Sequence, residues 1–173
     1  MPKIIQVSVI GPSSGGCSTA MYEIGEKLGK ALVDADKVVI TGGKGGIMEA
    51  VCRGARNSRK HKFGRTIGIL PTYDKGDANI FCDVVIPTGL GLARNTLVAA
   101  SGDVIIAVAG GSGTLSELSL AWQLGKPIIA YVGEGGWGEK LASRRLDGRR
   151  KDQIYPAKDI PEIMTQLKQL EED

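Results

Sequence analysis

The chain has 173 residues, 42% of them hydrophobic and 24% charged, enough to bury roughly two thirds of its unfolded surface around one core, so residues 1–173 are read as a single domain. No apolar run reaches the roughly 20 residues of a membrane-spanning helix, and residues 1–6 lack the basic-then-apolar pattern of a secretory leader, which points to the cytoplasm. A net charge of +3 argues against general nucleic-acid affinity, while three cysteines without a C-x-x-C pair and a single histidine argue against a disulfide framework or a metal site.

In chain order, residues 4–10 form a short β-branched run that stops at Gly11-Pro12-Ser13-Ser14-Gly15-Gly16. Met21, Ile24, Leu28, Ala31 and Leu32 then recur at helical spacing, giving strand, loop, helix. The pattern repeats where residues 38–41 run into Gly42-Gly43-Lys44-Gly45-Gly46, followed by Met48, Val51, Cys52 and Ala55 on one helical face. Residues 66–70 and 83–86 read as strands, 90–100 as a helix and 103–108 as an almost wholly apolar strand. Its loop, Ala109-Gly110-Gly111-Ser112-Gly113, opens a helix through Leu115, Leu118 and Trp122 that Gly125 ends, and a strand spans 127–132. Residues 133–152 carry little pattern. Asp159 and Glu162 predict a capping pair for a last helix with Ile160, Ile163, Met164, Leu167 and Leu170 as its stripe. Alternating strands and helices predict a Rossmann-like, doubly wound α/β fold with a mainly parallel sheet and helices on both faces.

The 25 glycines cluster beside the apolar runs, where backbone must turn sharply or approach a ligand. Gly110-Gly111-Ser112-Gly113-Thr114 joins a buried strand to a helix N-terminus, whose open N–H groups and dipole favour a phosphate; the alternative is a tight turn with no ligand. The loop from Gly42 to Gly46, with Lys44, favours function, because two such turns can grip a phosphorylated guest from both sides. Gly11 to Gly16 offer a third cradle, with Gly11 at its start and Ser13, Ser14 and Ser18 as hydroxyl donors. Neither the P-loop nor the dinucleotide fingerprint is present, which removes support for ATP hydrolysis and nicotinamide chemistry. Glu117 is either the far half of a capping box with Thr114 or a carboxylate aimed at the ligand, and the second reading is preferred because an anion one turn inside a phosphate-binding helix needs a partner. Arg94, in the glycine-flanked stretch Thr88-Gly89-Leu90-Gly91-Leu92-Ala93-Arg94-Asn95, carries a guanidinium fork suited to phosphate or carboxylate.

Taken together, the stretch Thr41-Gly-Gly-Lys-Gly-Gly-Ile-Met48, the stretch from Thr88 to Asn95 and Gly110-Gly-Ser-Gly-Thr-Leu-Ser-Glu117 resemble the molybdenum-cofactor carrier protein family. More distantly they resemble the LONELY GUY phosphoribohydrolases, once labelled lysine decarboxylases. The first resemblance implies a homo-oligomeric carrier for an anionic pterin phosphate, with the molybdenum cofactor or a nucleoside monophosphate as bound ligand. The second implies release of a free base from a nucleoside 5'-monophosphate, with Arg94 and Glu117 as catalytic residues. The chain departs from the hydrolase pattern at Ala109, where that motif has proline, at Asn95, where it has lysine, and at Glu49, where it has glycine.

The remaining polar features read as structural. Cys17 at the first helix could be dipole-activated but is taken as packing, as are Cys52 and Cys82. Arg53, Arg56, Arg59, Lys60, His61, Lys62 and Arg65 complement a helix C-terminus and lack the interleaved aromatics of an RNA surface. Arg144, Arg145, Arg149, Arg150 and Lys151 form a patch, a lid or an exposed turn, which sequence does not separate. Trp122 is read as a core or subunit-contact residue, on a face able to meet a second copy.

Overall fold

The structure, a computed structural model, describes residues 5–172. Residues 1–4, including Ile4 at the expected start of the first strand, and Asp173 lie outside the described residues. The elements are β1 Gln6–Ile10, α1 Thr19–Asp34, β2 Val38–Thr41, α2 Ile47–Arg56, β3 Thr66–Leu70, β4 Val84–Pro87 and α3 Arg94–Ser101. They continue with β5 Val104–Val108, α4 Ser112–Gln123, β6 Ile128–Tyr131, α5 Gly136–Leu141, β7 Tyr155–Ala157 and α6 Ile160–Glu172. One seven-stranded sheet runs β4-β3-β2-β1-β5-β6-β7, and every adjacent pair is parallel. The expected doubly wound α/β architecture is present, and parallel pairing runs through the whole sheet.

The alternation of side chains along each strand divides the core in two. Val104, Ile106 and Val108 of β5 join Val7, Val9 and Val39 beneath α1, α2 and α6, while Ile105 and Ala107 join Ile40, Ile69 and Ile128 beneath α3 and α4. All five β5 residues are therefore buried, which is why that strand reads as a continuous apolar run rather than an alternating one. Each fully buried Val or Ile contributes about 1.5–3 kcal/mol.

Local signals set the helix ends. Ser18 Oγ accepts the Met21 N–H at 3.1 Å to start α1, and at α6 Asp159 Oδ1 accepts the Glu162 N–H while Glu162 Oε2 accepts the Lys158 N–H, both at 2.8 Å. The expected capping pair thus forms. Helices α1 and α2 pack almost backbone to backbone: a Cβ at Gly29 would lie 1.9 Å from the Val51 carbonyl oxygen, and one at Gly54 would lie 1.9 Å from that of Glu26. Tyr22 Oη also donates to Glu49 at 2.8 Å across this contact, so the carboxylate ties the two helices together.

One expectation is corrected, and two open readings are resolved. The helix expected over 90–100 begins as a 3-10 turn, Gly91–Ala93, and becomes α-helical only at Arg94, because Gly89 and Gly91 hold positive φ angles of 65° and 55°. Within residues 133–152 a short helix, α5, is present, and β7 follows at Tyr155; three-residue strands and six-residue helices are too brief to show a period. Trp122 is 1% exposed and cannot be a surface contact. Its Nε1 donates to Asp147 at 2.9 Å and the Arg150 guanidinium lies 4.5 Å above its ring.

Candidate functional site

The two central strands, β1 and β5, send their chains to opposite faces of the sheet: α1 lies on one side and α4 on the other. This reversal opens a crevice at their carboxyl ends, the place where doubly wound sheets bind ligands. A cleft of about 430 Å³ occupies it. The β1 loop supplies Gly11, Pro12, Ser13 and Gly16; the start of α4 supplies Gly111, Ser112, Gly113, Thr114 and Glu117; Leu92, Arg94, Asn95 and Met48 close it. A second hollow of about 420 Å³ shares Leu92, Asn95, Ser112 and Gly113 and continues between α3 and α4 to Leu120.

The cradle is built by backbone. Helix α4 starts at Ser112 with Gly111 as its cap residue, and no side chain caps its first N–H groups, so their partial positive charge faces the cleft. Ala109 precedes this turn with φ at 49° while 1% exposed, a conformation that disfavours any residue with a Cβ and forbids proline outright. Trp137 N–H and Gly138 N–H, at the start of α5, donate to the carbonyls of Gly110 and Ala109, each at 2.9 Å. Those bonds hold the strained turn.

Sequence reasoning placed Gly11, Ser13, Arg94, Asn95, Gly111, Ser112, Gly113, Thr114 and Glu117 in one site, and the fold brings all nine to the cleft wall. It does not bring Ser14, Gly42, Gly43, Lys44, Gly45, Gly46 or Gly110 into that lining. The turn at 42–46 stands behind it. A Cβ at Gly45 would lie 2.1 Å from Ser14 Oγ, one at Gly46 2.4 Å from the Pro12 carbonyl oxygen, and one at Gly42 1.8 Å from Arg94 Nη1. Asn79 pins the turn from outside, its N–H on the Gly43 carbonyl at 2.8 Å and its Nδ2 on that of Lys44 at 2.9 Å. These glycines make room for the β1 loop and for the Arg94 guanidinium. Pro12 and Gly16 of the expected Gly11 to Gly16 cradle also line the cleft, whereas Met48 and Leu92 were not among the expected site residues; both adjoin a recognised motif, but an apolar side chain there signals no ligand.

Two side chains of opposite charge line the cleft and interact electrostatically. Arg94 Nη1 donates to the Ile69 carbonyl at 3.0 Å, its Nε is buried without a partner, and burial lowers its proton affinity. Glu117 is 9% exposed and makes no hydrogen bond or ion pair among the described residues. Burial pushes its pKa to about 7, and the nearby Arg94 only partly offsets this. The capping box with Thr114 does not form, because α4 begins two residues before Thr114. Asn95 Nδ2 donates to Ser116 Oγ at 2.9 Å, so the amide links α3 to α4.

The other polar features are accounted for by packing and pairing. Cys17 precedes the α1 cap, is partly buried against the core, and has its thiol pKa raised by desolvation. The 53–65 segment is largely neutralised: Arg53 meets Glu26 at 3.2 Å, Arg56 and His61 meet Asp83 at 3.4 and 3.0 Å, and Lys60 and Arg65 meet Asp36 at 2.9 and 3.5 Å. Of the three readings of the 144–151 segment, a lid over the ligand finds no support. Arg150 Nη1 donates to the Lys126 carbonyl at 2.8 Å and Arg149 Nε to Asp147 at 2.8 Å, so the segment straps the end of α4. No helix among the described residues is long and apolar enough to cross a membrane.

Fold and cleft together define a doubly wound α/β protein with a glycine-lined crevice at its topological switch point. The chain belongs to the SLOG cluster4 family, whose model matches residues 4–164. It is 40% identical to an uncharacterised protein of Archaeoglobus fulgidus over 128 residues, which cover 74% of this chain and 80% of that one. Among solved structures it is similar to the molybdenum cofactor binding protein of the phototrophic bacterium Rippkaea orientalis, with a TM-score of 0.84, 29% identity and coverage of 96% and 97% of the two chains. It is also similar to the molybdenum cofactor carrier protein of Chlamydomonas reinhardtii, with a TM-score of 0.82, 28% identity and coverage of 98% and 99%. The likeness to carrier proteins expected from the three glycine-containing stretches is therefore present over nearly the whole fold.

Proposed function

We propose that this chain is a binding or carrier protein for a phosphorylated small molecule, a molybdenum-cofactor-type pterin phosphate, held in the crevice between β1 and β5. The observation that carries this reading is the uncapped start of α4 facing the β1 loop across a cleft of about 430 Å³. Backbone N–H groups there meet a phosphate without a balancing cation. The cleft volume lies within the usual range for small-molecule sites. Its donor set fits such a cargo: the amide cradle suits the phosphate, Met48 and Leu92 offer apolar walls for a ring, and Arg94 and Glu117 supply polar contacts. The likeness to proteins named for binding or carrying the molybdenum cofactor supports the same ligand.

Isothermal titration of the purified chain with molybdenum cofactor and with GMP tests the proposal. Binding should occur, and Ser112→Glu, which sets a carboxylate at the cradle, should weaken it at least tenfold while leaving the fold intact by circular dichroism. Absence of uptake of either compound by the wild-type chain would overturn the reading.

A second reading rests on the juxtaposition of Glu117 and Arg94 beside the phosphate cradle. In it the chain hydrolyses the N-glycosidic bond of a nucleoside 5'-monophosphate, releasing free base and ribose 5-phosphate, with the carboxylate stabilising an oxocarbenium-like sugar and Arg94 orienting the substrate. Asn95, held on Ser116, places an amide where the phosphoribohydrolases carry a second cation, which favours the carrier. Incubation with AMP separates the two readings: adenine release that Glu117→Gln abolishes assigns the enzyme, and intact AMP after prolonged incubation assigns the carrier.

A further inference from the structure

Resting on the carrier reading, we infer that Glu117 and Arg94 together recognise the amino-oxo edge of a 2-amino-4-oxopyrimidine ring, the edge shared by pterins and guanine. A carboxylate that is 9% exposed, lines a cleft and has no hydrogen-bond partner among the described residues is an acceptor awaiting donors, since buried polar groups are otherwise satisfied. Its two oxygens match two adjacent N–H donors in parallel, the arrangement that a ring N–H and its neighbouring exocyclic amine present. Arg94 lines the same cleft, with one nitrogen fixed on the Ile69 carbonyl and Nε unpartnered. Its guanidinium has no acceptor beyond Ile69 among the described residues. The third group on the same ring edge, the oxo oxygen, supplies that acceptor.

Position agrees with this division of labour. Glu117 lies five residues into α4 from Ser112, about 7.5 Å along the helix axis at the usual rise per residue. The Glu117 backbone is thus more than one turn beyond the first open N–H groups, and its side chain leans back toward the cleft they line, so phosphate and ring contacts fall in one cleft. The large apolar side chains lining the same cleft are Met48 and Leu92, which suit a flat ring and offer nothing to sugar hydroxyls. Gly42 serves the same end, because a Cβ there would meet the Arg94 guanidinium at 1.8 Å and displace it.

Titration of the full-length protein with GMP, IMP, AMP and neopterin monophosphate tests the assignment. GMP and neopterin monophosphate carry the complete edge, IMP lacks the exocyclic amine, and AMP reverses donor and acceptor. The expected result is at least tenfold tighter binding of GMP and neopterin monophosphate than of IMP or AMP. In Glu117→Gln the preference for GMP over IMP should fall to about twofold or less while AMP affinity changes little. Equal affinities of the wild-type chain for all four compounds would overturn the assignment and leave the phosphate-binding reading standing. Binding of none of them would remove both. A GMP preference that survives Glu117→Gln would place recognition on other groups and equally overturn it.

Discussion

Replacing Glu117 with glutamine should stabilise this protein at neutral and alkaline pH. In the folded chain the buried carboxyl keeps its proton up to about pH 7, against 4.5 for an unperturbed one. Between those values the folded state binds more protons than the unfolded state, so stability falls as pH rises from about 4.5 and the loss is complete above about 7. The gap corresponds to about 3 kcal/mol. Glutamine keeps the shape and removes the charge, so Glu117→Gln should raise Tm by about 6–12 °C at pH 8 and by almost nothing at pH 4.5. Thermal melts of both proteins at half-unit pH intervals measure this directly. A difference in Tm that does not change with pH would show that the carboxylate is not buried as described, and would remove the physical reason for assigning it to a ligand. A residue retained at such a cost to stability is what a binding site requires.

Further outcomes follow from the packing. Gly29→Ala should destabilise by about 1–3 kcal/mol or more in urea titration, because its methyl group would overlap the Val51 carbonyl and α1 must move. Ala109→Pro, although it restores the residue of the related motif, should abolish cooperative unfolding or cost more than about 3 kcal/mol, since proline holds φ near −65° and the chain needs 49°; Ala109→Gly should lie within about 1 kcal/mol of wild type. Trp122→Ala should cost about 3–5 kcal/mol and speed cleavage within residues 144–151 in limited proteolysis, because Asp147 and Arg150 lose the ring that anchors them.

Much of the site was legible in the sequence because its chemistry is carried by backbone. Glycine beside an apolar strand marks a turn into a helix wherever it occurs, and this made the β1 and β5 loops recognisable without coordinates. The role of the turn at 42–46 was not legible, because its composition matches that of the β5 turn and the difference lies in what stands in front of it. Ser14, Pro12 and the Arg94 guanidinium occupy the space that a ligand would need there. Trp122 shows the same limit: its place on α4 left core and surface both open, and only the strap carrying Asp147 and Arg150 closes it over.

The alternation of strands and helices, the mainly parallel sheet and the helix start at Asp159 were legible in the chain, since they depend on residues a few positions apart. The three-dimensional arrangement alone makes β1 and β5 neighbours, sends α1 and α4 to opposite faces, and brings Glu117 and Arg94 to the crevice between them. Strand order is set by contacts between segments about 100 residues apart, and no local pattern of side chains carries that information.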